Sequence, residues 1–281
     1  MRSKQQRQTR NLPLIFLALV VLSCVSRTTP VGRFTQSLAI ATPGTFSLVS
    51  ADPNVFSFAA VGDLHVAHEN TARLRAILDA AAADGDEFLL LLGDIVDEGE
   101  LVDVQAVAQE IQNAGWTGKV FSVAGNHDIF HDGWNAYRQV LGSSTYSFRA
   151  GNSKFIALDT ADATLSGPQT QWLRDELTSL PSGPTFIFSH YLPVIPGVET
   201  WLKLASYTEA ANLMSLATRT GVKAWIGAHY HSYVNRNIAG VDYVVAGGGG
   251  GRRMPPYSAS YFYVRVLING STVTYQLKPT S

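Results

Sequence analysis

Apolar residues recur along this chain in two rhythms. Short runs dense in β-branched and aromatic residues, such as Val-Phe-Ser-Phe-Ala-Ala-Val at 55–61, predict buried strands at 55–61, 88–92, 120–124, 155–158, 185–188 and 222–226. Longer stretches with apolar side chains three and four residues apart predict helices at 70–83, 102–114, 169–180 and 208–220. Pro168 opens the third of these and Pro181 follows it, positions where a missing N–H costs no helical hydrogen bond. Strand, helix, strand in succession predicts a parallel sheet with helices on its faces, and 145–149 adds a strand beside 155–158. The tail changes rhythm to strict alternation at 233–238, 241–246, 261–268 and 273–277, which reads as a meander with Asn269-Gly270 as a hairpin turn.

The amino-terminal segment follows neither rhythm. Residues 1–24 combine a basic stretch, Arg2 to Arg10, with an apolar run at 12–25 that contains Pro13. That run falls short of the roughly 20 apolar residues a membrane-spanning helix needs, so it reads as a signal peptide and implies export to the periplasm or cell surface. Cys24 follows Val21-Leu22-Ser23, a sequence similar to the lipobox of bacterial lipoproteins, in which such a cysteine carries the lipid anchor. The alternative is an ordinary signal peptide removed together with its cysteine. Residues 25–54 are rich in Ser, Thr and Pro and read as a tether with one short strand near 45–49, leaving 55–281 as the folded domain.

Composition narrows the chemistry. The chain has 281 residues, 46% hydrophobic and 15% charged, enough for a packed core and far from disordered or disulfide-scaffold classes. All basic residues before Asp52 stand without an acid among them, so the remainder is net acidic and lacks the basic footprint of a nucleic-acid binder. With a single Cys there is no internal disulfide and no thiolate ligand set.

Polar residues follow the strands. Asp63-Leu64-His65 comes after 55–61, Asp94 after 88–92, Asn126-His127-Asp128 after 120–124, His190 after 185–188 and His229-Tyr230-His231 after 222–226. In open α/β sheets, ligands bind outside the carboxyl ends of strands, so five clusters can converge on one site. Five of the seven histidines lie in these clusters. Imidazole, carboxylate and amide donors suit divalent Mn, Fe, Zn or Co, and seven candidate ligands exceed what one tetrahedral ion takes.

These motifs, in this order and spacing, resemble the calcineurin-like metallophosphoesterase superfamily, whose fold is two facing mixed β-sheets flanked by helices. The resemblance implies one metal ion at Asp63, His65 and His231, a second at Asn126, His190 and His229, and Asp94 bridging both. It further implies that a metal-bridging hydroxide attacks phosphorus in a small phosphomonoester or phosphodiester, with His127 above the metals as proton donor to the leaving oxygen or as a clamp on the phosphoryl charge, and Asp128 orienting it. Gly93-Asp94-Ile95-Val96-Asp97-Glu98-Gly99 looks like the branch of bacterial cyclic-nucleotide and glycerophosphodiester phosphodiesterases.

Two positions depart from the pattern. Ala228 stands where the superfamily usually has Gly before its last His-x-His, and Asp97 where the purple acid phosphatases have an iron-binding Tyr. Asp97 reads equally as a support for the ligands or as a turn acid. Gly247 to Gly251 with Arg252 and Arg253 reads either as a phosphate cradle or as a flexible turn, His68 and His131 as rim residues, and Trp116, Trp134, Tyr191, Trp201 and Tyr230 as candidate pocket walls. A metal-binding protein without turnover and a nuclease are the rival readings; the pair His127 and Asp128 speaks against the first and the acidic body against the second.

Overall fold

A computed structural model describes residues 28–42, 44–195, 197, 203–254 and 260–280. The signal peptide, Cys24 and Trp201 lie outside the described residues. Among the described residues, twelve strands form two sheets. One has the order β1-β5-β6-β7-β8-β10-β9, built from Thr45–Phe46, Tyr146–Ala150, Ser153–Leu158, Thr185–Ser189, Ala224–Gly227, Val241–Ala246 and Tyr233–Ile238. The other has the order β12-β11-β2-β3-β4, built from Thr272–Thr280, Tyr261–Asn269, Val55–Val61, Leu89–Leu91 and Val120–Ser122.

The sheets face each other because their strands are apolar on both sides, and the two sides carry different residues. Strand β2 sends Phe56, Phe58 and Ala60 between the sheets and Ala59 and Val61 outward, as the period-two geometry of a strand requires. Phe58 stacks on Phe88 at 5.0 Å between ring centroids, Phe155 on Phe186 at 5.0 Å, and Phe88 meets Phe155 edge-on at 5.2 Å, so the inter-sheet layer is largely aromatic. Helices α2 (Ala72–Ala83) and α3 (Leu101–Asn113) cover the five-stranded sheet, and α5 (Gly167–Glu176) and α6 (Tyr207–Arg219) the seven-stranded one. The result is the four-layer α/β/β/α sandwich expected from the superfamily resemblance.

Three features depart from the sequence reading. The tail is no single meander. Its first hairpin, β9 and β10, joins the seven-stranded sheet, with β10 parallel to β8, whereas β11 and β12 join the other sheet. The final turn also falls one residue on from the predicted pair, at Gly270-Ser271 between the paired Asn269 and Thr272, with Gly270 at φ 61. Helix α4 (Trp134–Val140), two turns long, is too short for its periodicity to stand out in the sequence.

The third departure is the tether. Helix α1 (Pro30–Leu38) lies within it, capped by the Thr29 side chain accepting from Gly32 N. This helix is docked on the domain. Arg33 is buried and gives its Nε to Asp159 at 2.8 Å and its Nη2 to Asp162 at 2.7 Å, while Phe34 packs edge-on against Trp172. A guanidinium out of water needs such paired carboxylates, and a pairing across 126 residues of sequence leaves no local pattern to read.

What positions the site is the shared polarity of the parallel strands. In the five-stranded sheet β2, β3 and β4 run parallel, with Val61 level with Leu91 and Leu91 with Ser122. In the other sheet β6, β7 and β8 do the same, with Leu158 level with Ser189 and Phe188 with Ile226. The carboxyl ends of both triplets therefore open on one rim.

Candidate metal centre

At that rim the backbone leaves its usual range. Asp63, His65, Asp94 and His229 have φ of 59°, 49°, 48° and 66°, the left-handed region that non-glycine residues avoid. Such strain persists only where surrounding bonds over-determine it. Those bonds are visible: Asp63 N donates to Gly93 O and His65 N to Asp94 O, both at 3.0 Å, continuing the β2/β3 pairing past the strand ends. Glycine is needed at position 125, where a Cβ would collide with the Asp94 backbone and carboxylate.

The seven predicted ligands come together in two groups with Asp94 between them. Asp63, His65 and His231 present ligand atoms within 4.8 Å of one another, and so do Asp94, His190 and His229. Asn126 Oδ1 lies 3.1 Å from His190 Nε2, which adds it to the second group. Asp94 Oδ2 is 3.3 Å from His190 Nε2 and 3.9 Å from His65 Nε2, so it faces both groups.

The donor chemistry fits a cation in each group. His190 Nδ1 donates to Leu92 O at 2.9 Å, His231 Nδ1 to Arg252 O at 2.8 Å, and His65 Nδ1 meets the Asp97 carboxylate at 3.0 Å. For His65 and His231, whose rings burial keeps from taking a second proton, that bond leaves Nε2 with a lone pair turned inward. The inward nitrogens of His65 and His231 then face each other at 3.4 Å, and His190 Nε2 faces His229 Nδ1 at 3.1 Å. Opposed acceptors such as His65 Nε2 and His231 Nε2 repel in a buried site unless positive charge sits between them. Asp63 Oδ2 and His229 Nε2 are buried with no hydrogen-bond partner, which sharpens the same demand.

Protonation tells the same story. Burial pushes the Asp63 carboxyl well above the usual carboxylate range. Burial would likewise raise Asp94, yet the neighbouring histidines, His190 foremost, outweigh it and hold that carboxyl below its ordinary value. Burial lowers His65 and His231, and burial with the charge of His190 brings His229 down to about 3. For His190 the Asp94 charge overrides burial and pushes the ring up to about 9. One proton is thus drawn to the place where carboxylate, amide and imidazole acceptors converge.

His127 lies beside this centre, its ring 4.6 Å from that of His65 and partly open to solvent. Its orientation comes from Asp97 and not, as the resemblance implied, from Asp128. His127 Nδ1 donates to Asp97 O at 2.6 Å, and its backbone N–H donates to Asp94 Oδ1 at 2.8 Å. Both oxygens of Asp128 are taken by backbone N–H groups, those of Ile95, Val96 and Gly125 at 2.9, 3.0 and 2.8 Å. Asp128 therefore ties the Asp94 loop to the Asn126 loop, and burial raises its carboxyl to about 7. Asp97, which the sequence left open, is the residue that touches both His65 and His127.

The other candidates fall into place by packing. Ala228 fits without distorting its turn because its methyl occupies the room left by Gly62, where a Cβ would collide with it. The glycine run is neither cradle nor flexible turn. It carries the chain from β10 to the other sheet, with Gly249 N donating to Gly62 O at 3.0 Å and Gly251 N to Asp63 O at 2.8 Å, so these amides are not free for an anion. A Cβ at Gly251 would lie 2.5 Å from His231 Nδ1 and at Gly247 2.5 Å from Asp63 Oδ2, which is why the run contains no larger residue. Tyr191 lies against the site, its OH donating to Asn126 Oδ1 at 3.1 Å and its ring centred 3.9 Å from that of His229. Trp116, Trp134 and Tyr230 are core residues. His131 lies exposed on the rim, 3.7 Å from Glu98.

Residues 56–233 match the family model described as calcineurin-like phosphoesterase. A 3',5'-cyclic-nucleotide phosphodiesterase of Nostoc sp. is 26% identical over 209 residues, 67% of this chain and 76% of that protein. Among solved structures, a dimetal phosphatase from Danio rerio superposes with a TM-score of 0.56 at 18% identity, over 81% of this chain and 100% of that one. GAP50, described as the anchor in the inner membrane complex of Plasmodium, gives 0.60 at 14% identity, over 79% and 84%. At these identities the structures speak for the fold alone. The family match over more than half of the chain, joined to the metal-ligand groups at its strand ends, shows that the chain belongs to the calcineurin-like phosphoesterases and is a metal-dependent phosphoesterase.

Proposed function

We propose that this protein is an exported phosphodiesterase that works with two divalent ions of the Mn, Fe, Zn or Co type. Asp63, His65 and His231 would hold one ion, Asn126, His190 and His229 the other, and Asp94 both. The observation that carries this reading is the opposed contact of His65 and His231 nitrogens in one group and the partnerless buried His229 Nε2 in the other, with the Asp94 carboxylate facing both. Bound there, such ions supply charge to the phosphoryl oxygens and acidify water at neutral pH. His127, with Nδ1 committed to Asp97 O, has Nε2 left to pass a proton to the leaving oxygen. Such a proton-transfer group has no task in a protein that only binds metal.

The preference for a diester rests on the named activity of the Nostoc relative. Export, with Cys24 as the lipid-anchored residue, rests on the signal-peptide pattern of residues 1–24. No helix among the described residues is long and apolar enough to cross a membrane.

The test pairs elemental analysis with ester hydrolysis. The purified protein is expected to carry two ions per chain, to lose hydrolysis of bis(p-nitrophenyl) phosphate on chelation and to regain it with Mn, Co or Zn. Full activity with one ion per chain, or in the chelated protein, would overturn the two-ion mechanism. Faster hydrolysis of p-nitrophenyl phosphate than of the diester would overturn the diester assignment. Nicking of plasmid DNA at a comparable rate would favour a nuclease.

A further inference from the structure

The turn after His127 displays a side chain that packing does not explain. Ile129 is buried in the core beneath α2 and α3, but the next residue, Phe130, is 36% exposed. Its ring is centred 4.7 Å from the His127 ring at 45°. Scattered exposed apolar residues are ordinary on any surface. This one stands beside the group that hands a proton to the leaving oxygen.

Its backbone is also held at a cost. Phe130–Asp132 forms a single 3₁₀ turn in which His131 and Asp132 take φ of 48° and 65°. The turn is closed by Phe130 N donating to His127 O at 3.2 Å and Gly133 N to Phe130 O at 2.6 Å. Two glycines let the chain pass close by: a Cβ at Gly99 would lie 2.7 Å from the Phe130 carbonyl, and one at Gly133 2.8 Å. Strained residues and glycine contacts together fix the backbone from which one apolar ring projects. A shape maintained in this way, with no core to fill, suggests a ligand for the ring.

We propose that Phe130 determines substrate choice: its exposed face is a platform for a planar aromatic ring carried on the leaving-group side of the phosphoester. The class of substrate this selects is nucleoside and aryl esters over alkyl esters such as glycerophosphodiesters. The inference rests on the phosphoesterase reading of the site, because it needs His127 at the leaving oxygen. Base-on-aromatic stacking contributes enough to shift an affinity about tenfold, and it tolerates different bases because every base has a π-face.

The experiment compares wild type, Phe130→Ala and Phe130→Trp, each loaded with Mn and each checked for metal content. Calorimetry gives the affinity for adenosine monophosphate relative to glycerol phosphate, and kinetics gives kcat/KM for bis(p-nitrophenyl) phosphate relative to glycerophosphocholine. Both ratios are expected to fall about tenfold in Phe130→Ala and to be kept in Phe130→Trp. Equal losses for aromatic and alkyl compounds would show that the ring only shields His127 and would overturn the proposal, as would unchanged ratios. Should the wild type hydrolyse neither ester, the functional reading fails, and the calorimetric ratio still decides whether Phe130 stacks on the base.

Discussion

The two halves of the candidate centre are built from different parts of the fold. Asn126, His190 and His229 sit at strand ends inside the sandwich: the His190 side chain is 0% exposed, donates to the carbonyl of Leu92 in the neighbouring sheet, and is backed by Tyr191. In the other half Asp63 is fully buried, but His65 and His231 sit nearer the surface, their imidazoles 13% and 14% exposed. They are steadied from the rim by the Asp97 carboxylate and by the crossing glycine run with its Arg252 carbonyl. The histidines of one half are thus fixed in the interior and those of the other by rim loops. Loop-held sites open locally at lower free energy than strand-held ones, so the half at Asp63 should release its ion first.

The largest effect is expected where the halves meet. Asp94→Asn removes the charge facing both groups and should lower kcat about a thousandfold or more, with the ion count by elemental analysis falling below that of the wild type. Equal activity in this variant would remove the shared carboxylate from the mechanism.

Dialysis against graded chelator should strip the wild type in two steps. His231→Ala is expected to abolish the weaker step and His190→Ala the tighter one, and the opposite assignment would reverse the comparison. Asp97→Ala should weaken the outer ion about 10- to 100-fold, the usual range for a carboxylate that orients a ligating His. Because His127 is held by the main-chain carbonyl of Asp97, which the substitution keeps, kcat with metal in excess should change little. Gly251→Ala tests the same half from the other side, since its Cβ would lie 2.5 Å from His231 Nδ1. It should weaken the outer ion and leave the inner affinity within about twofold.

The smallest effect serves as a control. Asp242 on β10 bonds Lys223 and Asn237 in its own sheet and Tyr275 of β12 in the other. Burial would raise its carboxyl, but Asn237 and Lys223 outweigh it and hold the pKa below the ordinary value. Its folded pKa being the lower one, its stabilisation is present above the unfolded value near 3.9 and is lost as pH falls through the folded value. Asp242→Asn should lower Tm by about 2–4 °C at pH 7, the difference closing below about pH 4, with the order of ion release unchanged. A changed order would mean that the halves are coupled through the sheet packing.

Local pattern carried much of this molecule. The strands 233–238 and 241–246 fall where alternation places them, and most other strand and helix bounds shift by one to three residues. All seven candidate ligand positions lie in clusters whose residue types are unusual after an apolar strand, and for that reason they stood out. What stayed hidden depends on contacts distant in sequence. The docking of α1 turns on Arg33 meeting Asp159, and the orientation of His127 on a carbonyl thirty positions earlier, at Asp97. Asp128 was misassigned because adjacency in sequence says nothing of where two oxygens point, and they point to three backbone amides.

By itself the sequence determined the order of most strands and helices and the donor chemistry at the strand ends, because periodicity and residue type act over a few neighbours. Only the tertiary structure decided that the tail divides between two sheets, that the glycine run passes against Asp63 and His231, and which side chain steadies each imidazole. Those outcomes depend on which surfaces pack together, and a buried polar atom takes its partner from whatever part of the chain the packing brings within reach.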